Sequence, residues 1–218
     1  MRYGRPTETC LLNFTRGNMR STGAIILVIV LLLVGFAGCA GCGTYNNLVA
    51  QDERVEQAWA DVQNNYQRRA DLVPNLVSTV EGAAEFERST LEDVVNARAR
   101  ATSINISADD LDDPEKMRAY QEAQAELGRS LGRLLVVAEA YPQLRATEAF
   151  LTLQDQLEGT ENRISVARRD YNAAVQEYNT SVRRFPANIV AAFTGFDRRV
   201  PFEAEAGAEQ APDVQFNF

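Results

Sequence analysis

The sequence predicts an all-α protein: an antiparallel up-and-down helical bundle, with four helices expected, behind one N-terminal transmembrane helix. Residues 22–43 are apolar without a single charge, and the chain that follows is polar, with apolar residues spaced alternately three and four apart. An uncharged apolar run of this length is typical of a membrane-spanning segment, and the 3-4 spacing is typical of amphipathic helices. The two patterns together indicate a bundle tethered to a membrane.

The apolar segment has the length and the flanking charges of a membrane anchor. About 18 to 20 apolar residues form a helix of roughly 30 Å, which matches the hydrocarbon core of a bilayer. The preceding residues 1–21 form a short basic segment with four arginines and one acidic residue, and no charge occurs between Arg20 and Asp52. Because positive residues stay in the cytoplasm, we expect a single-pass protein with a cytoplasmic N-terminus and an extracytoplasmic bundle, in contact with the lipid bilayer through residues 22–43.

A lipoprotein-type export signal is the alternative interpretation of the same residues. Met19 would then be the start, residues 1–18 would be a start-site extension, and Cys39 or Cys42 would carry the lipid. The Ala-Gly pair before Cys39 suits a cleavage site, whereas Phe36 at the first position of that box does not. Both interpretations tether the following domain outside the cytoplasm.

The bundle is predicted over residues 44–186, beginning with a long apolar seam, meaning the row of apolar positions on one helix face. Pro74 interrupts this seam, and a proline in a helix interior costs about 3 kcal/mol. With Asp71 as N-cap, Pro74 would fall in the first turn of a new helix. A break near residues 69–71 is therefore favoured over one kinked helix of about 55 residues, although the seam keeps its phase. Its positions are Leu48, Val55, Trp59, Val62, Tyr66, Val73, Leu76, Val80, Ala84, Leu91 and Val94.

Capping residues and prolines in the sequence mark both ends of the next predicted helix. Residues 104–113 are rich in Ser, Asn and Asp, which predicts a loop. Asp113 as N-cap, Pro114 at the first helical position and Glu115 in the first turn indicate a helix start. The helix should end at Tyr141, because the proline that follows disfavours helical conformation there.

The last long helix is expected from near Thr147 to Pro186. Residues 187–218 are predicted to form a short helix, at 187–193, and then a flexible C-terminal tail rich in Ala, Glu and Gly. Apolar residues alternate at the very end, within 214–218. That pattern fits either a peptide docked on the bundle or on a partner, or a frayed end.

Composition excludes several classes of function. The chain has no histidine, which removes the usual general base, the commonest metal ligand and every Ser-His-Asp arrangement. Its three cysteines are Cys10, Cys39 and Cys42, so the bundle has no thiolate zinc site or disulfide framework. Without the four N-terminal arginines and Glu8, 18 basic and 29 acidic residues remain, a balance that repels nucleic acid. We expect no enzymatic activity, no cofactor and no metal, although catalysis by carboxylates alone stays formally open.

Polar residues at seam positions are the candidate functional residues. The favoured interpretation is that they pair across helices and fix register, because buried charges need partners. The alternative is a polar ligand site inside the bundle around Arg68, Arg69, Asp71, Glu161 and Arg168. Gly128 and Gly132 are interpreted as allowing close helix packing, and Tyr171-Asn172 and Tyr178-Asn179 as seam tyrosines with hydroxyls at the edge. The polar seam positions are Glu87, Arg98, Gln124 and Glu161, with Arg68, Arg69 and Asp71 beside them.

Several motifs, in order along residues 44–218, resemble those of the LemA family. The resemblance implies an N-terminal membrane segment and an antiparallel helical bundle, and it implies no established biochemical activity. The motifs are Tyr45-Asn46-Asn47-Leu48-Val49, Ala58-Trp59, residues 68–77, Tyr141-Pro142-Gln143-Leu144, Glu161-Asn162-Arg163-Ile164, Ala167-Arg168, Tyr171-Asn172, Tyr178-Asn179, Phe185-Pro186, Gly195-Phe196 and Pro201-Phe202-Glu203. Some relatives organise membrane compartments and others are encoded near envelope proteases, which suggests a scaffold or adaptor with protein partners in the cell envelope.

Overall fold

The computed structural model describes residues 16–82 and 87–203, and for the helical residues 16–22, 24–25 and 33–40 it describes the backbone alone. Within these residues the chain is all-helical, which confirms the predicted fold class. A 3₁₀ turn, Ala108–Asp110, interrupts the loop after the second helix. The α-helices are α1 (Arg16–Glu81), α2 (Arg88–Ser103), α3 (Pro114–Ala138), α4 (Pro142–Arg145), α5 (Glu148–Arg183) and α6 (Ala187–Thr194).

The chain divides into two compact units, residues 1–47 and 48–218. The helical bundle lies entirely in the second unit. Among the described residues, no helix combines the length and the apolar character that a membrane crossing requires. The transmembrane helix predicted at 22–43 is therefore not borne out, and many of its side chains, including that of Cys39, lie outside the described part.

The first helix corrects the predicted break near residues 69–71. Helix α1 continues without interruption through Pro74 to Glu81. A proline has no N–H to donate to the carbonyl four residues earlier, which here belongs to Ala70. The Arg98 Nε of α2 donates to this Ala70 oxygen at 2.8 Å, so the carbonyl that Pro74 leaves without a helical partner is satisfied from the neighbouring helix. The unbroken phase of the seam was correct across Pro74, but it also continued through Leu91 and Val94, which belong to the separate helix α2.

The starts of α3 and α5 and the end of α6 follow the sequence signals, whereas α3 ends at Ala138, three residues before the predicted end at Tyr141. The Asp113 carboxylate accepts hydrogen bonds from the first-turn amides of Glu115 and Lys116, and Pro114 stands at the first helical position. Thr147 caps α5 by accepting from the Phe150 amide. The short helix predicted after Pro186 is α6, and Gly195 ends it in the left-handed conformation at φ 77°.

Cross-helix contacts show that neighbouring helices run antiparallel. Along α1 and α5, Arg54 pairs with Glu177 at 3.7 Å and Arg69 with Glu161 at 2.8 Å, so the α5 number falls as the α1 number rises. Helix α2 packs along α3 in the same sense, and α2 reaches α1 through Arg98. The α2–α3 ion pairs are Asp93–Arg133 and Arg100–Glu126.

Two clusters of buried apolar residues form the core of this unit. One cluster joins the middle of α1, from Leu48 to Tyr66, to the loop before α3, the start of α3, α5, α6 and Phe202. The other joins the end of α1 to α2, α3, α4 and the start of α5, with Leu76 and Leu127 fully buried. Arg69 and Gln124 are buried polar residues of the same bundle, and their partners define the candidate site.

Candidate functional site: a groove between α3 and α5

A polar node joins α1, α3 and α5; it consists of the buried Arg69 and Gln124 and the half-exposed Glu161. One guanidinium nitrogen of Arg69 donates to Glu161 Oε1 at 2.8 Å. The other donates to the Gln124 backbone oxygen at 2.8 Å and to its Oε1 at 2.9 Å. Gln124 in turn donates to the Ala101 carbonyl at 3.2 Å, which ties α2 into the node. One arginine thus connects four helices.

The environment of Arg69 accounts for a charge in the core. Its side chain is only 4 % exposed, whereas that of Glu161 is 49 % exposed, so the carboxylate keeps water on one side. The Tyr66 ring lies 5.0 Å from the guanidinium carbon and adds a cation–π contact. A buried charge is tolerated when it is paired and hydrogen-bonded, and Arg69 meets this condition at both terminal nitrogens. Its Nε is buried without a partner.

A groove of about 1030 Å³ opens beside the node, between α3 and α5. Apolar side chains, among them Leu131, Leu135 and Leu157, lie along it, and Arg118 and Arg129 stand on its α3 wall. Neither of these two arginines has an ion-pair partner among the described residues. Grooves that combine apolar surface with a few polar anchors are where extended or helical segments bind.

The two glycines of α3 border this groove, and the structure corrects the interpretation of Gly132, but not that of Gly128, as a close-packing position. A Cβ built on Gly132 would meet no atom within 4 Å. A Cβ on Gly128 would lie 3.4 Å from the Arg69 guanidinium. No neighbouring helix requires the glycine at 132, although glycine in a helix costs roughly 0.5–1 kcal/mol relative to alanine. The absent side chain leaves open space on the α3 wall.

Only part of the predicted polar cluster comes together at the groove. Arg69, Glu161 and Arg168 line it. Arg68 and Asp71 are exposed and are not among its lining residues, and the Asp71 carboxylate accepts from Gln67 one turn earlier on α1. The five residues therefore do not surround one internal ligand cavity. Arg69 and Glu161 instead form a cross-helix pair of the kind that the favoured interpretation describes.

The other predicted positions have separate roles. Glu87 accepts from Ser89 and Thr90 at the start of α2 and stays outside the groove. Cys42 is an exposed free thiol, and the side chain of Cys39 lies outside the described residues, so lipidation at either remains a prediction. No cluster of acidic or thiol side chains suited to a metal ion occurs in the described part of the chain.

A C-terminal strap, residues 196–203, runs back along α5 and was missed by the sequence interpretation. The Tyr171 and Tyr178 hydroxyls donate to the backbone oxygens of Val200 and Asp197, each at 2.9 Å. The asparagine after each tyrosine pairs with both the N–H and the C=O of one strap residue. Asn179 binds Arg199 at 2.8 and 2.9 Å, and Asn172 binds Phe202 at 3.1 and 2.8 Å.

The spacing of this Tyr-Asn repeat matches the geometry of the strap. Seven helical residues advance about 10.5 Å at 1.5 Å each. Three extended residues advance about 10 Å. Moving from Tyr178 to Tyr171 accordingly shifts the partner from Asp197 to Val200, three residues on. The seven-residue interval of the Tyr-Asn pairs is the sequence signal that could have predicted an extended segment docked on α5.

Charged and aromatic contacts fasten the strap to the rest of the bundle. Arg199 forms a two-point ion pair with Asp52 of α1 at 2.9 and 3.0 Å. Phe202 is buried against Trp59 and Tyr171, with ring centroids 5.9 and 5.4 Å away. Burial, with a smaller contribution from the Asp52 charge, raises the pKa of Tyr178 to about 12. The phenol therefore stays protonated and donates to the strap at physiological pH.

The last described residue of the strap, Glu203, lies at the groove between α3 and α5. Arg168 donates to the Glu203 backbone oxygen at 3.2 Å, and its guanidinium lies 4.9 Å from the Phe202 ring centroid. The Glu203 amide donates to Gln121 Oε1 at 3.3 Å, across on α3. Glu203 is itself a lining residue of the groove. The expected tail at 203–212 and the alternating residues of 214–218 lie, beyond Glu203, outside the described residues.

Comparison with known proteins shows which family this chain resembles. A family model described as the LemA family matches residues 58–216. Magnetosome protein MamQ 1 and magnetosome protein MamQ 2 of Paramagnetospirillum magneticum are each 27 % identical over 202 residues, covering 85 % of this chain and 74 % of the relative. Protein LemA of Metamycoplasma hominis is 22 % identical over 165 residues, covering 76 % of this chain and 71 % of the relative.

The matched region contains the polar node, the groove and the strap, so the features described above belong to the part of the chain that the family shares. Some of the motifs that resembled the family in the sequence lie at these positions: residues 68–77 and 161–164 contribute Arg69 and Glu161 to the node, and Tyr171-Asn172, Tyr178-Asn179 and Pro201-Phe202-Glu203 form strap contacts. This chain belongs to the LemA family.

Proposed function

We propose that this LemA-family protein is a non-enzymatic, membrane-anchored scaffold or adaptor of the cell envelope, which holds an extended segment of a partner protein in the groove between α3 and α5. The observation that carries the proposal is the groove itself: about 1030 Å³, with apolar side chains and with Arg118 and Arg129 on its wall. Apolar surface supplies affinity for a segment, and arginines supply anchors for its carboxylates or carbonyls.

The chemistry of the groove supports binding more than catalysis. The chain has no histidine to act as a general base, and the acidic residues that line the groove share it with several arginines. Glu161 is engaged by Arg69. Binding without turnover is what this arrangement does best.

The membrane component of the proposal rests on the sequence and on the relatives. The uncharged apolar run within residues 22–43 and the arginines before it favour an anchor with the bundle on the extracytoplasmic side. Relatives named as magnetosome proteins are compatible with a membrane-associated role. An anchored bundle would present its groove to partners at the membrane surface.

Crosslinking in intact cells followed by pulldown of the full-length protein tests the proposal. Three forms are compared: wild type, Gly132→Leu, which places a side chain in the groove, and Gly159→Leu as the control. Gly159 is also a helical glycine with room for a Cβ, 3.5 Å from the end of Arg163, and it is not a lining residue of the groove.

We expect specific envelope proteins with wild type and with Gly159→Leu, and their loss with Gly132→Leu, because the added side chain fills groove volume. Partners that survive Gly132→Leu unchanged would contradict the groove as the docking site. Recovery of uncrosslinked monomer alone from all three forms would contradict the scaffold role.

A further inference from the structure

Helix α6 turns its larger apolar side chains outward. Ala191 is buried, and Ala187 and Val190 pack against the core, so the inner face consists of small residues. Ile189 and Phe193, one turn apart on α6, are 48 % and 88 % exposed. A helix on a protein surface in water normally shows the opposite arrangement.

A third large apolar side chain extends this surface. Phe185, two residues before α6, is 80 % exposed. Phe185 and Phe193 are the most exposed of the large apolar side chains among the described residues. Contiguous exposed apolar groups of this kind mark interaction sites. We call Phe185, Ile189 and Phe193 the outer face of α6.

The charge around the outer face is positive, in contrast to the net charge of −8 for the whole chain. Residues 183–199 contain four arginines and one acidic residue, Asp197. Arg199 is occupied by Asp52, whereas Arg183, Arg184 and Arg198 are exposed. Apolar side chains flanked by exposed arginines are typical of surfaces that rest on anionic lipid headgroups.

The outer face lies at the end of the bundle from which the chain leads to the apolar segment. Arg54 of α1 pairs with Glu177 of the antiparallel α5, so Leu48 lies toward the end of the bundle at which α5 leads into Phe185 and α6. Leu48 is eight positions after Ala40, which lies near the end of the apolar run. Eight residues span at most roughly 29 Å even when fully extended. The chain that connects the apolar segment to this end of the bundle is therefore short.

We propose that the outer face of α6 docks on the surface of the bilayer, with Phe185, Ile189 and Phe193 among the headgroups and upper acyl chains and with Arg183 and Arg184 on lipid phosphates. This second membrane contact rests on the anchoring that the proposed function includes. It orients the bundle, because one tether alone leaves a domain free to rotate and two contacts do not.

Fluorescence quenching by brominated lipids tests this contact in the full-length protein. Wild type, Phe193→Trp and Val136→Trp are reconstituted into vesicles of phosphatidylcholine and phosphatidylglycerol, with or without bromine on the acyl chains. Val136 is the matched control: it is 66 % exposed and lies on α3 between Leu134 and Ala138, which belong to the other core cluster. The native Trp59 is buried and supplies the background. Flotation of the vesicles reports anchoring separately.

We expect all three forms to float with the vesicles. The tryptophan fluorescence that Phe193→Trp adds to the wild-type signal should fall severalfold in brominated vesicles, whereas the fluorescence that Val136→Trp adds should not change. Adding Arg183→Glu and Arg184→Glu to Phe193→Trp should restore much of the lost signal. If Phe193→Trp floats but is not quenched, the second contact is overturned and the anchor stays intact. Equal quenching of Val136→Trp and Phe193→Trp would lead to the same conclusion. Failure to float would overturn the anchoring, and this inference with it.

Discussion

The hydrogen bond from Arg98 to the Ala70 carbonyl gives the sharpest test of why α1 survives a proline in its interior. The perturbation is Arg98→Met, which removes the guanidinium and keeps an apolar stem of similar length. It is made in the wild type and in Pro74→Ala. In Pro74→Ala the backbone gains the N–H that the Ala70 oxygen lacks, so the helix supplies its own donor.

The expected magnitude follows from the geometry. The bond is 2.8 Å long, partly buried and donated by a charged group. Hydrogen bonds to charged groups contribute about 1.5–3 kcal/mol, and an unsatisfied buried carbonyl costs about 1–3 kcal/mol. Since this site is only partly buried, we expect Arg98→Met to lower the free energy of unfolding by about 1.5 kcal/mol in the wild type and by about 0.5 kcal/mol in Pro74→Ala.

Urea unfolding of the full-length protein in detergent, monitored by circular dichroism, measures the four free energies of unfolding in this double-mutant cycle. Arg100→Met is the control. It lies two residues further along α2 and pairs with Glu126, and its side chain is 64 % exposed. An exposed ion pair contributes about 0–1 kcal/mol, so this control should cost little in either background.

Equal losses from Arg98→Met in both backgrounds would refute the reasoning. The guanidinium would then act through some contact other than the carbonyl that Pro74 leaves open. A coupling energy near 1 kcal/mol, present for Arg98 and absent for Arg100, is the result that the hydrogen bond predicts.

Three further predictions concern the groove, the strap and a helix start. Gly132→Ala should stabilise the protein by about 0.5–1 kcal/mol in urea unfolding, and Gly128→Ala by less, because its Cβ would press on the Arg69 guanidinium. The raised pKa of Tyr178 means that the native phenol binds its proton more tightly than the unfolded one. Stability should therefore fall as pH rises from about 10 to about 12, and fall less in Tyr178→Phe, measured as unfolding free energy against pH. Asp113→Ala should cost about 1 kcal/mol in thermal unfolding, through loss of the α3 N-cap.

Local chemistry predicted much of this fold from the sequence. Aspartate–proline–glutamate at 113–115 predicted the start of α3, and Thr147 the start of α5, because capping depends on neighbours in the chain alone. The 3-4 spacing predicted the buried face, since helical geometry fixes which residues share a face. The break near Pro74 was wrongly predicted because the donor that satisfies the Ala70 carbonyl, Arg98, belongs to another helix and leaves no local signal in the sequence.

The site was less predictable, for a physical reason. Arg69 and Glu161 stood out as polar residues at or beside the seam, but only the packing of three helices shows that they join each other at the edge of a groove. Arg68 looked equivalent to its neighbour and is exposed, since adjacent residues lie 100° apart on a helix. The strap was missed because it binds the Tyr and Asn side chains of α5 through its own backbone groups, which carry no residue-specific signature, and the seven-residue interval of the Tyr-Asn pairs was interpreted as a core pattern alone.

Site-specific photo-crosslinking in intact cells tests the proposed scaffold role most directly. A benzophenone side chain is placed at Gln154, an exposed lining residue of the groove, or at Asp155, the next residue of α5, which is exposed and does not line it. We predict discrete adducts with envelope proteins from position 154 and none of these from position 155. The same adducts from both positions, or no protein adduct from 154, would contradict the groove as the surface through which this protein holds its partners.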